Sequence, residues 1–270
     1  MPDHRPPEPH IVRYYTDVFV EADRLSRAPH GRLEALRTRD LLAQLLPPAP
    51  ATVLDVGGGP GAYAGWLADA GYQVHLVDLV PAHAAAARHV HPAVTVAVGD
   101  ARRLPLAGRC ADATLLLGPL YHLTDRADRV AALGEALRVT RPGGVVVTAT
   151  ISRHAPLMDL IRQGRVDDRN RPALLATYGS GVNDPVSGFT TAYFHRPAEL
   201  VDEFRAAGLP GPELYGVEGP LWPLLPLAGG AETDGRLFAE VLRCAALVER
   251  DPEVLGASAH LLAAARVPRG

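Results

Sequence analysis

A glycine-rich turn after a short apolar run is the stretch of this sequence best suited to chemistry. Residues 53–61 read Val-Leu-Asp-Val-Gly-Gly-Gly-Pro-Gly, with Asp55 ahead of Gly57, Gly59 and Gly61. Glycine adopts backbone angles closed to other residues and leaves no side chain between the backbone and a ligand. The amides of the helix predicted after the turn attract negative or hydrogen-bond-accepting groups. The turn therefore predicts a ligand site at the carboxyl end of a buried strand.

Two further acids, Asp78 and Asp100, each end a later apolar run. Because the carboxyl ends of parallel strands meet at one edge of a sheet, we expect Asp55, Asp78 and Asp100 to surround the glycine turn. Asp78 follows Gly57 by about 20 residues, the spacing at which an acid accepts hydrogen bonds from a ribose. Asp100 is expected at an adenine amino group. The alternative interpretation is that these acids cap the helices that follow them.

A sheet covered by helices on both faces is needed to bring these residues together. Short apolar runs alternate with segments of helical periodicity, which predicts an α/β fold with a doubly wound, mostly parallel sheet. Seven strands are predicted, near residues 53–54, 72–78, 94–98, 113–118, 145–151, 213–217 and 259–267. Two helices, over 11–28 and 31–46, precede the first strand, and Pro29-His30-Gly31 is predicted to separate them.

The composition disfavours several classes of function. The 270 residues carry a formal net charge of −3, so nothing favours nucleic acid or an acidic membrane as a partner. No apolar run approaches the roughly 20 residues that span a bilayer. All 27 basic side chains are arginine, which excludes a Walker-type phosphate loop and Schiff-base chemistry. Cys110 and Cys244 lie far apart, so we expect neither a disulfide framework nor a cysteine zinc site, and we expect a cytoplasmic protein.

Four motifs, in the right order and spacing, resemble those of class I S-adenosylmethionine-dependent methyltransferases. They are Asp55-Val56-Gly57-Gly58-Gly59-Pro60-Gly61, Val77-Asp78, Gly99-Asp100-Ala101 and Arg141-Pro142-Gly143-Gly144. The resemblance covers about residues 53–151, and the tail is similar to those of small-molecule members. It implies a Rossmann-like methyltransferase fold and transfer of the methyl group of S-adenosylmethionine to a small-molecule acceptor, which leaves S-adenosylhomocysteine. The acceptor atom is expected to be oxygen or nitrogen, with carbon as the alternative.

The resemblance also implies roles for individual residues in cofactor binding. Asp55 would orient the methionine part, Asp78 would hold the ribose hydroxyls, and Gly118 would lie beside the sulfonium. The remaining cofactor contacts it implies come from Gly57, Gly59, Gly61, Leu79, Asp100 and Ala101. In many relatives the N-terminal helices form a lid over the cofactor, which adds Tyr15 and Arg37. An Arg37 guanidinium suits a carboxylate, although an exposed Arg37 paired with Glu34 or Asp40 on its own helix is the alternative.

We expect one structural domain with four parts. Residues 1–50 would form the helical lid, 51–151 the cofactor-binding core, 152–192 a cap insertion that shapes the acceptor site, and 193–270 the rest of the sheet and its helices. The cap is inferred from the polar segment that interrupts the strand-helix alternation, because such insertions often shape binding pockets. We expect a monomer or a homodimer.

The residues that would act on the acceptor follow the fourth strand. His122, with Tyr121, is the candidate base, because histidine titrates near neutrality. The alternative is that His122 packs under the cap or caps the next helix. Further candidates for the acceptor pocket are His154, Tyr178, Tyr193, His195 and Trp222. A metal is not expected, because His83, His89 and His91 lie near a helix that should be solvated.

Two other functions remain as alternatives. Gly57, Gly59 and Ala62 fit the dinucleotide fingerprint of a nicotinamide dehydrogenase formally. The acid two residues before Gly57 and the absence of a Tyr-Lys pair count against that interpretation. The second alternative is a cofactor-binding protein without catalysis. A measurement of methyl transfer would distinguish these alternatives from a methyltransferase.

Overall fold

The computed structural model describes residues 9–15, 24–183, 190–227 and 235–269. Its main element is a seven-stranded sheet in the order β3-β2-β1-β4-β5-β9-β8. The strands are β1 (Thr52–Val56), β2 (Gln73–Asp78), β3 (Thr95–Val98), β4 (Ala111–Leu116), β5 (Thr140–Ile151), β8 (Glu213–Gly216) and β9 (His260–Arg266). Strands β1 to β5 pair in parallel, and β9 is antiparallel to both of its neighbours. The predicted mostly parallel sheet of seven strands is confirmed.

Helices cover both faces of this sheet. They are α3 (Pro29–Leu45), α4 (Ala62–Asp69), α5 (Pro81–Val90), α7 (Arg126–Val139), α10 (Pro197–Ala206) and α11 (Gly235–Leu247), with the short α1 (Pro9–Arg13), α2 (Arg24–Arg27) and α6 (Pro119–His122). Leu54 packs on one face with Leu133 of α7, while Val53 packs on the other face with Leu67 of α4. Alternate residues of one strand therefore enter two cores, as a sheet buried on both faces requires.

Two predicted boundaries need correction, and one predicted helix lies partly outside the described residues. The second helix begins at Pro29, so the break in the chain lies at Ala28, because proline fits the first turn of a helix. The predicted helix over 11–28 is described only as α1 and α2, since residues 16–23 lie outside the described residues. Strand β5 begins at Thr140, earlier than predicted, because residues 140–144 extend the strand past a register shift in β4.

The polar segment after β5 forms helices α8 (Ala155–Arg162) and α9 (Arg171–Ser180) and a small sheet. That sheet pairs β6 (Val182–Asn183) with β7 (Ala192–Tyr193). The division of the chain into lid, core, cap and tail stays a prediction. No helix within the described ranges has the length and apolar character needed to cross a membrane.

Candidate active site

The glycine turn connects β1 to α4 at the carboxyl end of the parallel strands. Gly57 has φ 71°, and a Cβ added to it would lie 2.6 Å from the ring of Pro119. Glycine is therefore required there both for its backbone conformation and for the approach of the segment that follows β4. The amide of Gly57 donates to the carbonyl of Val77 on β2, which fixes the turn against the neighbouring strand. The sequence thus folds locally so that two loops converge on one point.

A cleft opens above this turn, with an empty volume of about 1070 Å³ that includes its open mouth. It brings together most of the residues predicted from the sequence. Those that line it are Tyr15, Asp55, Gly57, Gly59, Asp78, Leu79, Asp100, Ala101, Gly118, Tyr121 and His122. The three acids at strand ends therefore meet on one rim, as predicted, and the segment after β4 faces them.

Asp55 lies under the turn with its side chain almost fully buried. Within the described part of the chain, neither of its carboxylate oxygens has a hydrogen-bond partner. Burial, assisted by the nearby carboxylate of Asp78, raises the pKa of Asp55 to about 7. A buried carboxylate without a partner is costly unless a ligand supplies a cation or a donor. Asp55 therefore fits the ammonium group of an amino acid that enters the cleft.

Asp78 is held in place by the backbone. Its Oδ2 accepts a hydrogen bond of 2.8 Å from the amide of Gly59, and its Oδ1 accepts one of 2.8 Å from the amide of Val80. These bonds tie the end of β2 to the glycine turn and fix the orientation of the carboxylate. A carboxylate has about four lone-pair sites, so two bonds leave capacity for a pair of ribose hydroxyls. The geometry fits the role that the spacing predicts.

The Asp100 carboxylate is less available to a ligand than the sequence indicates. Its carboxylate accepts hydrogen bonds from Nε of Arg102 at 3.1 Å and from Nη2 at 2.7 Å. Nη1 of Arg102 also donates to Asp128 in the first turn of α7, at 2.8 Å. The Arg102 guanidinium therefore partly neutralises the acid expected at an adenine amino group. That contact stays a prediction.

His122 and Tyr15 face each other in the wall of the cleft. Nε2 of His122 lies 2.9 Å from the phenol oxygen of Tyr15, which comes from the segment that follows α1. Burial lowers the pKa of His122 to about 4, although a backbone hydrogen bond with Thr191 and the carboxylate of Asp78 oppose this effect. The imidazole is therefore neutral at neutral pH. Tyr121 packs edge to face against it, with ring centres 4.6 Å apart.

Sequence reasoning missed His83, Arg24 and Tyr63, all of which line the cleft. His83 belongs to a helix expected to be solvated, yet its Nδ1 lies 3.4 Å from Oδ1 of Asp78. Its position five residues after Asp78, in the first turn of α5, is the sequence signal for this contact. Nothing local marks Arg24, because its position depends on how α2 packs on α3.

Gly61 and Arg37 lie outside the cleft, so we correct the expectation for both. Gly61 has φ 96°. A Cβ added to Gly61 would point at His91, at the end of α5, and would lie 2.7 Å from its imidazole ring. Arg37 is buried, forms an ion pair with Glu249 and donates to the carbonyl of Val217 at 3.3 Å. Its guanidinium connects α3 to the end of the sheet, because the inner face of α3 packs against those residues.

His154, Tyr178 and Trp222 also lie away from the cleft, contrary to expectation. Nδ1 of His154 lies 3.0 Å from the carbonyl oxygen of Gly256, and its Nε2 lies 3.4 Å from the Tyr178 hydroxyl. The indole of Trp222 is buried and donates to the carbonyl of Ala257 at 3.1 Å. These side chains pack α8, α9 and the turn at Trp222–Leu224 against residues 255–258, so their polar atoms already have partners.

Tyr193 and His195 belong to a buried ion network instead of an acceptor pocket. The guanidinium of Arg129 lies 3.7 Å from the centre of the Tyr193 ring and pairs with Glu203 at 2.8 Å. Nε2 of His195 lies 3.2 Å from the same Glu203 carboxylate. The amide of His195 donates to the end of β5, which draws this segment into the core and away from the cleft.

Three potential metal ligands, Glu34, Glu218 and His260, present atoms within 4.8 Å of one another. The oxygens and nitrogens of these side chains already form hydrogen bonds and ion pairs with one another and with neighbouring residues. Arg24 donates to both oxygens of Glu34 at 2.6 and 2.9 Å, and Oε2 of Glu218 accepts from Ser258 at 2.8 Å. The charges of two cationic and two anionic side chains balance in this cluster. We call it the Glu34 network (Arg24, Glu34, Glu218, His260). It behaves as an ion network.

Comparisons with known proteins agree with this geometry. A family model described as a methyltransferase domain matches residues 53–144. A malonyl-[acyl-carrier protein] O-methyltransferase from Pectobacterium atrosepticum is 39% identical over 100 residues, which are 37% of this chain and 38% of that protein. A probable S-adenosylmethionine-dependent methyltransferase from Mycolicibacterium smegmatis is 28% identical over 208 residues, covering 75% of this chain and 68% of that protein. The chain thus spans only about two-fifths of the length of the first of these relatives.

Solved structures share the fold. The crystal structure of an S-adenosylmethionine-dependent methyltransferase from Mesorhizobium loti superposes with a TM-score of 0.59 at 20% identity, over 87% of this chain and 99% of that one. Its likeness concerns the sheet and its helices. The motifs at the strand ends, the cleft that they line and the matched family model lead to one conclusion: residues 53–144 form a methyltransferase domain of the class I S-adenosylmethionine-dependent family.

Proposed function

We propose that this protein transfers the methyl group of S-adenosylmethionine to an oxygen or nitrogen atom of a small-molecule acceptor. The observation that carries the proposal is the hydrogen-bonded pair of Tyr15 and His122, which lines the same cleft as the glycine turn. Polar groups that accept and relay protons suit an acceptor with an O–H or N–H bond. When bound, S-adenosylmethionine supplies an electrophilic methyl group on a sulfonium.

The chain's main contribution is to hold the two reactants in line. Asp55 and Asp78 would fix the two ends of the cofactor, and Gly57 and Gly118 leave the space between them free of side chains. Positioning of this kind can contribute about 7–11 kcal/mol to the lowering of a barrier. The acceptor must then approach from the side where Pro119, Tyr121 and His122 form the wall.

The low pKa of His122 limits what this residue can do. A buried neutral imidazole is a weak base at equilibrium, but it still accepts a hydrogen bond. We propose that Tyr15 and His122 orient the acceptor's O–H or N–H bond. As the proton leaves, the Tyr15 oxygen takes it and the phenol proton passes to Nε2 of His122, 2.9 Å away. Protonated His122 is disfavoured by its burial, so the proton then passes to solvent.

A small molecule fits this cleft better than a nucleic acid does. The lining of the cleft includes the apolar side chains of Ile11, Leu25, Leu117, Pro119 and Leu123. The net charge of −3 disfavours binding to the phosphates of a nucleic acid. The name of the Pectobacterium relative, an O-methyltransferase, supports oxygen as the acceptor atom.

A screen of small-molecule acceptors tests the proposal by measuring how much S-adenosylhomocysteine is formed. The acceptors are alcohols, phenols, carboxylic acids, amines and carbon acids. We expect turnover with a member of the oxygen or nitrogen classes. Turnover confined to carbon acids would contradict the choice of atom. No binding of S-adenosylhomocysteine to the purified protein would contradict the function as a whole.

A further inference from the structure

Arg129 of α7 carries a buried charge that the proposed proton transfer does not use. Its side chain is only 2% exposed, and it is not among the described residues that line the cleft. Nε and Nη2 of its guanidinium each lie 2.8 Å from Oε1 of Glu203. A buried ion pair contributes little net stability, because both charges lose their water. The segments that the guanidinium joins are therefore the better guide to its role.

The guanidinium binds the chain directly after His122. Its Nη1 donates to the carbonyl oxygen of Leu123 at 2.7 Å and to that of Thr124 at 2.9 Å. Helix α6 ends at His122 after four residues, and the last carbonyls of a helix have no partner within it. The path of the backbone at the end of α6 therefore depends on Arg129.

The same guanidinium packs on a second segment that contacts His122. We call residues 190–195 the β7 segment, after the strand that it contains. The guanidinium lies 3.7 Å from the centre of the Tyr193 ring in this segment. Strand β7 contacts α6, and the backbone of Thr191 is hydrogen-bonded to the His122 imidazole. Arg129 thus contacts both stretches of backbone that hold this ring.

The β7 segment is fixed at both of its ends. At one end, Nδ2 of Asn183 on β6 donates to the carbonyl of Thr190 at 3.0 Å. At the other end, the amide of His195 donates to the end of β5 at 2.8 Å. Nε2 of His195 also lies 3.2 Å from Oε2 of Glu203, the carboxylate that pairs with Arg129. The ion pair therefore connects the loop after α6 to a segment that is already anchored.

We propose that Arg129 is a positioning residue, which fixes the imidazole of His122 by joining the loop after α6 to the β7 segment. The proposal rests on the proposed function, because it matters for turnover only if His122 takes part in proton transfer. That transfer runs over the 2.9 Å between the Tyr15 oxygen and Nε2 of His122. A displacement of about 1 Å at a reacting group can cost about 100-fold in rate.

The alternative is that Arg129 only stabilises the fold, and Arg138 provides a matched comparison. Arg138 lies on the same helix, pairs with Glu135 at 2.7 Å and donates to the carbonyls of Leu106 and Leu104 at 2.9 and 3.2 Å. These carbonyls belong to the loop between β3 and β4. A purely structural role predicts that neither arginine affects the imidazole of His122.

Two variants weaken the Arg129 contacts without leaving a buried carboxylate unpaired. Arg129→Lys keeps a cation for Glu203, but an ammonium lacks the planar geometry with which the guanidinium holds all three acceptors at once. Arg129→Met combined with Glu203→Gln removes both charges together. Arg138→Lys is the control. Thermal unfolding identifies the folded variants, and the double variant serves as the test if Arg129→Lys does not fold.

Nuclear magnetic resonance of the full chain labelled with ¹⁵N-histidine measures the state of His122 directly. The spectrum of His122→Ala assigns the two ring-nitrogen signals of His122 by their absence. In the wild type at pH 7 we expect one protonated and one unprotonated nitrogen, because a neutral ring held in one tautomer has one of each. In the Arg129 variants the two signals should move towards each other, since a freer ring exchanges tautomers. Arg138→Lys should leave both signals unchanged.

Turnover tests whether this placement matters for the reaction. With an acceptor found in the screen, Arg129→Lys should lower kcat by about 10- to 100-fold. The affinity for S-adenosylhomocysteine should stay within about threefold of wild type. In a His122→Ala background the same substitution should lower kcat by less than about threefold, because the residue that Arg129 positions is already absent.

Each outcome decides between the two roles. Unchanged His122 nitrogen signals in a folded Arg129 variant would overturn the proposal. Equal losses of kcat in the wild-type and His122→Ala backgrounds would also overturn it, since Arg129 would then act independently of His122. If no acceptor gives turnover and the chain does not bind S-adenosylhomocysteine, the proposed function fails. The nitrogen signals still decide in that case whether Arg129 positions the ring.

Discussion

Tyr15 and His122 are separated by 107 residues, yet their side chains share a hydrogen bond of 2.9 Å. The ring of Tyr15 also lies edge to face against His83, with ring centres 5.4 Å apart. The segment after α1 therefore closes one side of the cleft by contacting residues from α5 and α6. This contact joins the N-terminal part of the chain to both the cofactor side and the acceptor side.

Removing either member of this pair should slow turnover without loss of cofactor binding. We expect Tyr15→Phe and His122→Ala each to lower kcat by about 100-fold or more, the usual contribution of a positioned proton acceptor. Affinity for S-adenosylhomocysteine should stay within about threefold of wild type, because Tyr15→Phe keeps the ring predicted to cover the cofactor and His122 is not among the predicted cofactor contacts. The exposed His89→Ala is the control. Unchanged kcat in both variants would remove the pair from the mechanism.

Asp78→Ala should abolish measurable binding of S-adenosylhomocysteine. The substitution removes the proposed ribose contact and also the acceptor for the amides of Gly59 and Val80. Each lost hydrogen bond of this type is worth on the order of 1–3 kcal/mol, so the combined loss exceeds about 100-fold in affinity. Asp69→Ala, at an exposed carboxylate on α4, serves as the control. Wild-type affinity of the Asp78 variant in calorimetry would contradict the cofactor site.

The binding of S-adenosylhomocysteine should strengthen as the pH rises through 7. Asp55 has its pKa raised to about 7 in the free protein, so the carboxylate that would meet the ligand's ammonium is mostly protonated at pH 6. Between pH 6 and pH 8 the affinity should increase by about tenfold, with release of a proton on binding. Calorimetry in two buffers of different ionisation enthalpy counts that proton.

The control for this pH dependence is a ligand without an ammonium group. The affinity of 5′-methylthioadenosine should vary little over the same range, and Asp55→Asn should remove the pH dependence for S-adenosylhomocysteine. Equal slopes for the two ligands would exclude Asp55 as the titrating contact.

The Glu34 network should make the protein less stable at alkaline pH. Although burial opposes the effect, the carboxylates of Glu34 and Glu218 raise the pKa of His260 to about 9. A folded-state pKa above the unfolded value of 6.5 gives stability that is fully present below pH 6.5 and is lost as the pH rises through 9. The contribution is on the order of 3 kcal/mol.

Urea unfolding of wild type and His260→Gln at pH 6 and pH 9.5 measures this contribution. The variant should be less stable than wild type at pH 6, and the difference should shrink at pH 9.5. His75→Gln, a partly exposed histidine of β2, is the comparison. A difference in the free energy of unfolding that is the same at both pH values would show that His260 contributes packing alone.

Much of the cofactor side was predictable because local patterns determine it. Asp55, Gly57 and Asp78 follow from apolar runs that end in an acid or a glycine turn, and parallel strands bring such ends together. These signals depend only on neighbours in the sequence. The order of the strands brings them together whatever the details of packing.

The rest depends on contacts between distant segments, which spacing does not encode. Arg37 was predicted at the cofactor, with Glu34 or Asp40 as alternative partners. It pairs with Asp40 and also with Glu249, about 200 residues further along the chain. Trp222 was predicted in the acceptor pocket, but its indole finds a carbonyl acceptor at Ala257. In both cases the direction of a side chain follows from the packing of whole elements. Aromatic and charged residues alone do not distinguish a pocket wall from a core.

The position of strand β9 in the sheet affects the order in which the protein folds. It lies between β5 and β8, so during synthesis the sheet stays split until the ribosome has delivered its last strand. His260, at the start of β9, forms an ion pair with Glu34. The nascent chain can therefore build the glycine turn early, but the support for Arg24 is completed only when β9 docks. A chain truncated before residue 260 would retain all four motifs and lack the support for this part of the cleft.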